Sequence, residues 1–364
     1  MHAYDFTQLI HEIGQRQALV KSYLAAPQNR IGFTYKHLED AVYSYINAGG
    51  KSLRPAVLMF CCGAVGGDEQ IAIPAAAAVE LYHTFTLVHD DIIDRDEMRR
   101  SVPTVHYDFA RRARAELGMD DATADHYGLA IAILAGDMQQ GWAASLLPDL
   151  YFHYGLPAEL ALVLVRELFR QVQITLINGE TVDILQAETP VEQLNEQQVL
   201  DMLWQKTGSL YAFAGRAGAA IGLRLPTLEH PVVTAIGKFT GECGIAFQIQ
   251  DDVLGVVGDQ KRMGKPVGSD IREGKRTIIV LHSLERMSAA QRQFALSVLG
   301  NREASDSDIE EVVDLLDQTG GIQHARDLAR HYVQDALEHL RILDDTPQKS
   351  LLRSWADFII QRDL

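Results

Sequence analysis

Cysteine is scarce in this 364-residue chain: three in all, with Cys61 and Cys62 side by side and Cys243 far from them. That set gives no disulfide framework and no spacing of a zinc site, so a reducing compartment fits best. Basic charge is short as well, 33 Lys and Arg against 49 Asp and Glu, for a formal net charge of -16. A generic affinity for nucleic-acid phosphates or anionic lipid headgroups is therefore disfavoured, and any anionic ligand needs local cations or metal ions. No stretch reaches the roughly 20 uncharged apolar residues of a membrane span, and the opening MHAYDFTQLIHEIGQ has neither the basic start nor the apolar run of a signal peptide. The expectation is a cytoplasmic protein with no membrane span and no nucleic-acid partner.

Alternating strand patterns are few, whereas apolar residues recur at three- and four-residue spacing among good helix formers. Helices are expected near 36 to 48, 54 to 65, 70 to 95, 104 to 117, 122 to 146, 156 to 187, 194 to 220, 230 to 257 and 275 to 287, with shorter ones beyond 288. Breaks fall at Gly49-Gly50, Gly66-Gly67-Asp68, Ser101-Val102-Pro103, Glu188-Thr189-Pro190 and Leu225-Pro226, and between Gly258 and Gly274. None is a long linker, and no repeat or low-complexity tract appears, so the whole of 1–364 is expected to form one all-helical domain. The segments 122 to 146 and 207 to 222 are apolar nearly all round, which predicts central helices enclosed by others and a bundle able to hold a deep apolar cavity.

Charge is concentrated in two places. His89-Asp90-Asp91-Ile92-Ile93-Asp94 closes an apolar run that begins near Ile73. At about 100° per residue, Asp90 and Asp94 share a helix face one turn apart, with Asp91 beside them. Carboxylates this close repel, and a hard divalent cation is the natural reason to gather them; a solvated helix end is the plainer alternative. Asp251-Asp252-Val253-Leu254-Gly255 closes a second apolar run in the same way. Acidic residues at a helix C-terminus oppose the helix dipole, so the repeated device calls for a compensating cation. Arg99 and Arg100 follow the first cluster, and Lys261, Arg262, Lys265, Arg272, Lys275 and Arg276 follow the second. Metal-binding carboxylates next to phosphate-binding cations suit a polyphosphate, although each cation alone reads equally as a surface ion pair.

Gly49-Gly50-Lys51-Ser52-Leu53-Arg54-Pro55 adds a glycine turn with two cations before a helix, a place suited to anions. It is not a P-loop, because Tyr45 stands where the first glycine belongs and no strand precedes it. This turn, the first aspartate cluster with Arg99-Arg100, Lys206-Thr207-Gly208 and Phe247-Gln248-Ile249-Gln250-Asp251-Asp252 together resemble the trans-isoprenyl diphosphate synthases, in order and spacing, over roughly residues 40 to 285.

The resemblance implies an all-helical bundle around a deep cavity, a homodimer, and head-to-tail prenyl transfer from an allylic diphosphate to isopentenyl diphosphate. It implies that Asp90, Asp91, Asp94 and Asp251, with Asp252 beside them, hold three Mg²⁺ ions against the allylic diphosphate. Arg99, Lys206, Thr207, Gln248, Lys265 and Lys275 match further contacts to that diphosphate. Lys51, Arg54, His83 and Arg100 match the positions that hold isopentenyl diphosphate. Released diphosphate is implied as the proton acceptor. A lone histidine on an apolar helix is more often packed than functional, but His83 falls within about 20° of Asp90 on the wheel, seven residues on; His89 is taken as structural. Three features depart from the pattern: Ser101 after the paired arginines, Gly255 in place of a third aspartate, and one extra residue between Lys265 and Lys275.

In this family the product's length resembles a ruler stopped by bulky side chains before the first aspartates. Phe85 is five residues before Asp90, about 7.5 Å along the helix, with Tyr82 deeper and the small Thr86 at the fourth position. One aromatic stop and no insertion within Asp90–Asp94 resemble the twenty-carbon geranylgeranyl diphosphate producers more than farnesyl or longer-chain synthases. On the wheel, however, Phe85 lies well off the face of Asp90 and reads equally as core packing. Competing readings are a helical metal phosphohydrolase using the His89-Asp90 doublet, a terpene cyclase, and a non-catalytic regulatory subunit. The two basic sets, the second aspartate motif and the intact aspartates argue against them in turn.

Overall fold

Apolar residues at three- and four-residue spacing wind into helices through nearly all of the computed structural model, which describes residues 6–99, 102–257 and 268–361. Among the described residues, strand is confined to Met98–Arg99 paired antiparallel with Val102–Pro103. The all-helical class expected from the sequence is what the chain adopts. Its helices group into two compact units, one formed by the chain up to Arg166 with Arg216–Val233 and Thr346–Gln348, the other by the remainder.

In the first unit the helices are α1 (Thr7–Ala25), α2 (Lys36–Ala48), α3 (Leu53–Ala64), α4 (Ile73–Asp94), α5 (Val105–Leu117), α6 (Asp121–Leu146), the short α7 (Asp149–Phe152) and α8 (Ala158–Arg166). Pro74 sits in the first turn of α4, where a missing N–H costs nothing, and Arg95 in the left-handed region (φ 59°) ends it. α4 packs chiefly on α6, and α6 on α5. Leu81, Tyr82 and Val88 of α4 are fully or almost fully buried there, each worth ~1.5–3 kcal/mol in side chains of this kind. Close packing reaches the backbone at Gly136 of α6, where a Cβ would meet the His89 ring at 2.2 Å. His89 is thus seated as a packing residue.

α4, extended back to Glu69, is also long and apolar enough to cross a membrane by length and composition. The expectation that no stretch would qualify is met by this one exception, and 78% of its most apolar window is buried inside the protein. That is how a core helix looks.

The second unit holds α9 (Gln173–Glu188) and α10 (Glu196–Leu203), followed by α11 (Ser209–Gly222) and α12 (Pro231–Val257), each of which has one end in the first unit. Then come α13 (Ser269–Glu273), α14 (Ile278–Leu284), α15 (Ala289–Val298), α16 (Asp306–Gln318), α17 (Gly321–His339) and α18 (Pro347–Gln361), the last with its first turn in the first unit. Reciprocal capping boxes start three of these helices, at Asn195/Gln198, Ser288/Gln291 and Ser305/Asp308.

Three details differ from the periodicity. α1 is an additional helix: its buried residues, Leu9, Ile13, Val20 and Leu24, are too thinly spread among polar ones to stand out. The expected continuous helices 156 to 187 and 194 to 220 are interrupted by π turns at Glu167–Val172 and Trp204–Gly208, insertions that hydrophobic spacing does not reveal. Finally, α6 is only partly enclosed: Ile133 and Leu134 are 47% and 51% exposed. The α11 segment meets the expectation, with Tyr211, Phe213 and Ile221 buried.

Candidate active site

The glycine turn is built at the junction of α2 and α3. Gly49 ends α2 with φ 80°, a left-handed value that a side chain would oppose, and Ser52 follows at φ 43°. Gln17 of α1 donates to Gly50 C=O (2.5 Å) and Ser52 Oγ (3.1 Å), and Ser52 Oγ donates to Glu80 of α4 (2.8 Å). This bracing leaves Lys51 exposed. Arg54, in the first turn of α3, brings Nη1 to 3.0 Å from His83 Nε2 on α4. Two of the residues expected to hold one diphosphate are therefore in direct contact.

At the end of α4 the three aspartates have different surroundings. Asp91 is 0% exposed; Tyr45 of α2 donates its hydroxyl to Oδ2, and Arg99 donates Nε to Oδ1 at 2.6 Å. Arg99 also reaches Asp90 Oδ2 at 3.3 Å. Burial pushes the Asp91 carboxyl above the usual carboxylate range, while Arg99 and Tyr45 pull it back. Burial likewise works against the charge of Arg99, but Asp91 and Asp90 override it and keep the guanidinium protonated. Asp90 and Asp94 are half-buried at the same helix end, and Asp90 Oδ1 is itself shielded from solvent. Behind them Tyr82 and Phe85 meet edge to face at 4.7 Å, and Phe85 meets His89 at 5.8 Å, forming an aromatic file along α4. Thr86 turns its hydroxyl to the His83 carbonyl (2.8 Å).

In the second unit, the Lys206-Thr207-Gly208 motif lies within the π turn before α11. Lys206 Nζ is 2.9 Å from Glu180 and 2.6 Å from Asp183, both on α9. Thr207 donates to Gln248 Oε1 (3.1 Å), and Gln248 Nε2 donates to Asp252 Oδ1 (3.2 Å). Thr207, Gln248 and Asp252 thus form one hydrogen-bonded file, with Asp251 beside it at the end of α12. Asp252 is buried, and that burial first, the negative charge of Asp270 second, pushes its carboxyl well above the usual range. Lys275 pairs with Glu273 (2.9 Å) and Asp270 (3.6 Å). Arg100 and Lys265 lie outside the described residues.

Sequence reasoning missed Tyr45, Glu180, Asp183 and Asp270. The spacing of Glu180 and Asp183, three apart on a helix, was a usable signal; Tyr45 and Asp270 gave none, since only packing brings them to their partners. Among the described residues, no group of three His, Cys, Asp or Glu side chains is arranged as a ready-made metal cage. A polar cavity of about 360 Å³, lined by Arg16, Asp68, Glu69 and Gln348 among others, contains none of the residues above.

Comparison with known proteins places these features in context. The family profile described as Polyprenyl synthetase matches residues 35–316. The chain is 34% identical over 360 residues to a geranylgeranyl diphosphate synthase from Sulfolobus acidocaldarius, covering 98% of this chain and 97% of that protein. Its fold matches a geranylgeranyl pyrophosphate synthetase from Pyrococcus horikoshii Ot3 with a TM-score of 0.82 at 32% identity, over 98% and 99% of the two chains. A geranylgeranyl pyrophosphate synthase from Corynebacterium glutamicum, complexed with isoprenyl diphosphate and magnesium, matches with a TM-score of 0.83 at 28% identity, over 99% and 100%. With the profile covering most of the chain and the likenesses running nearly end to end, the chain belongs to the polyprenyl synthetase family, as a prenyltransferase of the short-chain trans-isoprenyl diphosphate synthase kind.

Proposed function

We propose that the protein catalyses Mg²⁺-dependent head-to-tail condensation of isopentenyl diphosphate with allylic diphosphates, giving geranylgeranyl diphosphate. The observation that carries this reading is the acidic end of α4 with Arg99 folded back onto Asp90 and Asp91. All the candidate metal donors are carboxylates, which suit Mg²⁺. That ion takes one or two carboxylates and completes its shell with phosphate oxygens and water, so it needs no three-ligand protein cage. Asp90, Asp91, Asp94 and Asp251 hold the metal, three ions in all, with Asp252 beside them. Bound Mg²⁺ supplies charge neutralisation of the departing diphosphate.

Lys206, Thr207, Gln248, Lys275, Arg99 and Lys265 orient the allylic diphosphate. Lys51, Arg54, His83 and Arg100 hold isopentenyl diphosphate so that its double bond lies near the nascent cation. The Arg54–His83 contact supports that role, because it fixes the guanidinium before any ligand arrives. Both units serve this one reaction as a single catalytic domain. The protein acts in the cytoplasm as a homodimer, and the exposed Ile133 and Leu134 on α6 are the apolar surface a second copy would cover.

Phe85, braced by Tyr82 and followed by Thr86, stops the growing chain at twenty carbons. The test is incubation of the purified protein with Mg²⁺, labelled isopentenyl diphosphate and each allylic primer in turn, with chromatography of the dephosphorylated alcohols. The twenty-carbon alcohol is the expected product. A fifteen-carbon or longer alcohol instead would replace the product assignment, and no incorporation with any primer would sink the reading. Phe85→Ala should lengthen the product; an unchanged distribution would remove Phe85 as the stop.

A further inference from the structure

α1 turns a stripe of Leu9, Ile13, Val20 and Leu24 into the first unit, where it packs on α3 and α4. Helical spacing puts Gln17 on that same stripe, four residues after Ile13 and three before Val20. An amide on an apolar face has to find partners, and those of Gln17 lie in the glycine turn. Its Nε2 donates to Gly50 C=O at 2.5 Å and to Ser52 Oγ at 3.1 Å. The two bonds hold the residues on either side of Lys51.

Ser52 has an uncommon conformation. It is the N-cap of α3, yet its side chain makes no capping bond, and its backbone is left-handed at φ 43° and ψ 42°. L-residues avoid that region, and a serine N-cap ordinarily has extended backbone with its oxygen turned to the helix amides. Here the hydroxyl accepts from Gln17 and donates to Glu80 Oε1 at 2.8 Å. An ionised Glu80 and the Gly50 carbonyl can only accept, so every bond in this chain has one direction, and position 17 must supply an N–H₂ group. Glu80 stands on α4 three residues before His83, which meets Arg54 at 3.0 Å. The turn is thus tied to α1 at Gly50, to both α1 and α4 at Ser52, and to α4 again at Arg54.

We propose that Gln17 is a positioning residue for isopentenyl diphosphate: with Glu80 it holds Ser52 in the left-handed conformation that presents Lys51 and Arg54 together to one diphosphate. This rests on the assignment of Lys51 and Arg54 given above. Attaching α1 to the rest of the unit would need neither a strained serine nor a bond on each side of Lys51. A turn ordered in advance spares the ligand the cost of ordering it.

The test is steady-state kinetics of the full chain with Mg²⁺, varying isopentenyl diphosphate and farnesyl diphosphate separately. Gln17→Leu continues the apolar stripe, so circular dichroism should match the wild type, while KM for isopentenyl diphosphate rises about tenfold, the combined worth of the two lost hydrogen bonds. KM for farnesyl diphosphate and kcat should hold. A merely structural Gln17 would instead lower stability and leave both KM values alone. Position 52 gives a second signature. Ser52→Ala loses the hydroxyl and keeps the backbone strain, whereas Ser52→Gly loses the hydroxyl but adopts the left-handed conformation freely, so KM for isopentenyl diphosphate should rise more in Ser52→Ala. This pair decides the matter if Gln17→Leu fails to fold. A wild-type KM for isopentenyl diphosphate in folded Gln17→Leu, an equal rise in both KM values, or no difference between the two Ser52 variants would overturn the role of Gln17, while wild-type turnover leaves the proposed reaction standing. A wild-type protein that transfers no prenyl group would overturn both.

Discussion

The two acidic helix ends look alike in sequence and differ in how their charge is balanced. At the end of α4 a protein guanidinium is already in place: Arg99 lies 2.5 Å from Asp91 and 3.3 Å from Asp90, and Tyr45 adds a hydroxyl from α2. At the end of α12 the buried Asp252 accepts from Gln248, a neutral group, and faces the negative charge of Asp270. In the first set a cation is bonded directly to two of the carboxylates, whereas in the second the cation, Lys275, pairs with Asp270 and leaves Asp252 with a neutral donor and a like charge beside it. A cation arriving at the first must compete with Arg99; one arriving at the second relieves a strain already present.

The largest effects should come from removing the proposed metal donors at either end. Asp90→Ala and Asp251→Ala should each lower turnover about a thousandfold or more, the several kcal/mol that a metal contributes to a developing anion, with helicity unchanged by circular dichroism. Undiminished activity in either folded variant would break the equivalence of the two ends.

The next test separates them. Asp91→Asn leaves Arg99 with only Asp90, at 3.3 Å, as a close counter-charge; that loss works against the relief of a buried carboxyl whose pKa is raised, and the variant should still cost ~3 kcal/mol in denaturant unfolding. Asp252→Asn should instead raise the Tm of the metal-free protein at neutral pH. The sign follows from linkage: a carboxyl raised above its unfolded value favours the fold below about pH 3.9 and loses that contribution as pH rises through the folded value, so the neutral amide avoids the loss. If both variants moved stability in the same direction, the contrast between the sites would fail. Smaller again is Tyr45→Phe, which removes one hydrogen bond to a buried carboxylate and should cost ~1.5–3 kcal/mol. Least of all, Glu180→Gln should change stability by under ~1 kcal/mol, since Asp183 at 2.6 Å still holds Lys206 and both partners are partly exposed. A larger loss would mark Glu180 as the principal support of that ammonium.

Much of this was legible from local spacing. The helical class, the ends of α2, α4 and α12, and the two aspartate runs follow from periods of three and four residues, because helix geometry fixes which neighbours share a face. The π turns were not legible, since one extra residue per turn leaves composition unchanged. Nor was the partial exposure of α6, because an apolar stripe looks the same whether another helix of this chain covers it or not.

What the sequence determined alone is therefore the chemistry on offer: hard carboxylate donors at two helix ends, cations beside them, and a glycine turn ahead of α3. What only the tertiary structure decided is which of those groups meet. Tyr45 reaches Asp91 across 46 positions, Arg54 reaches His83 across 29, and Asp270 stands where residue 255 has no side chain. Contacts of that span depend on how helices pack, and packing is set by the shape of whole apolar faces rather than by any short run of residues.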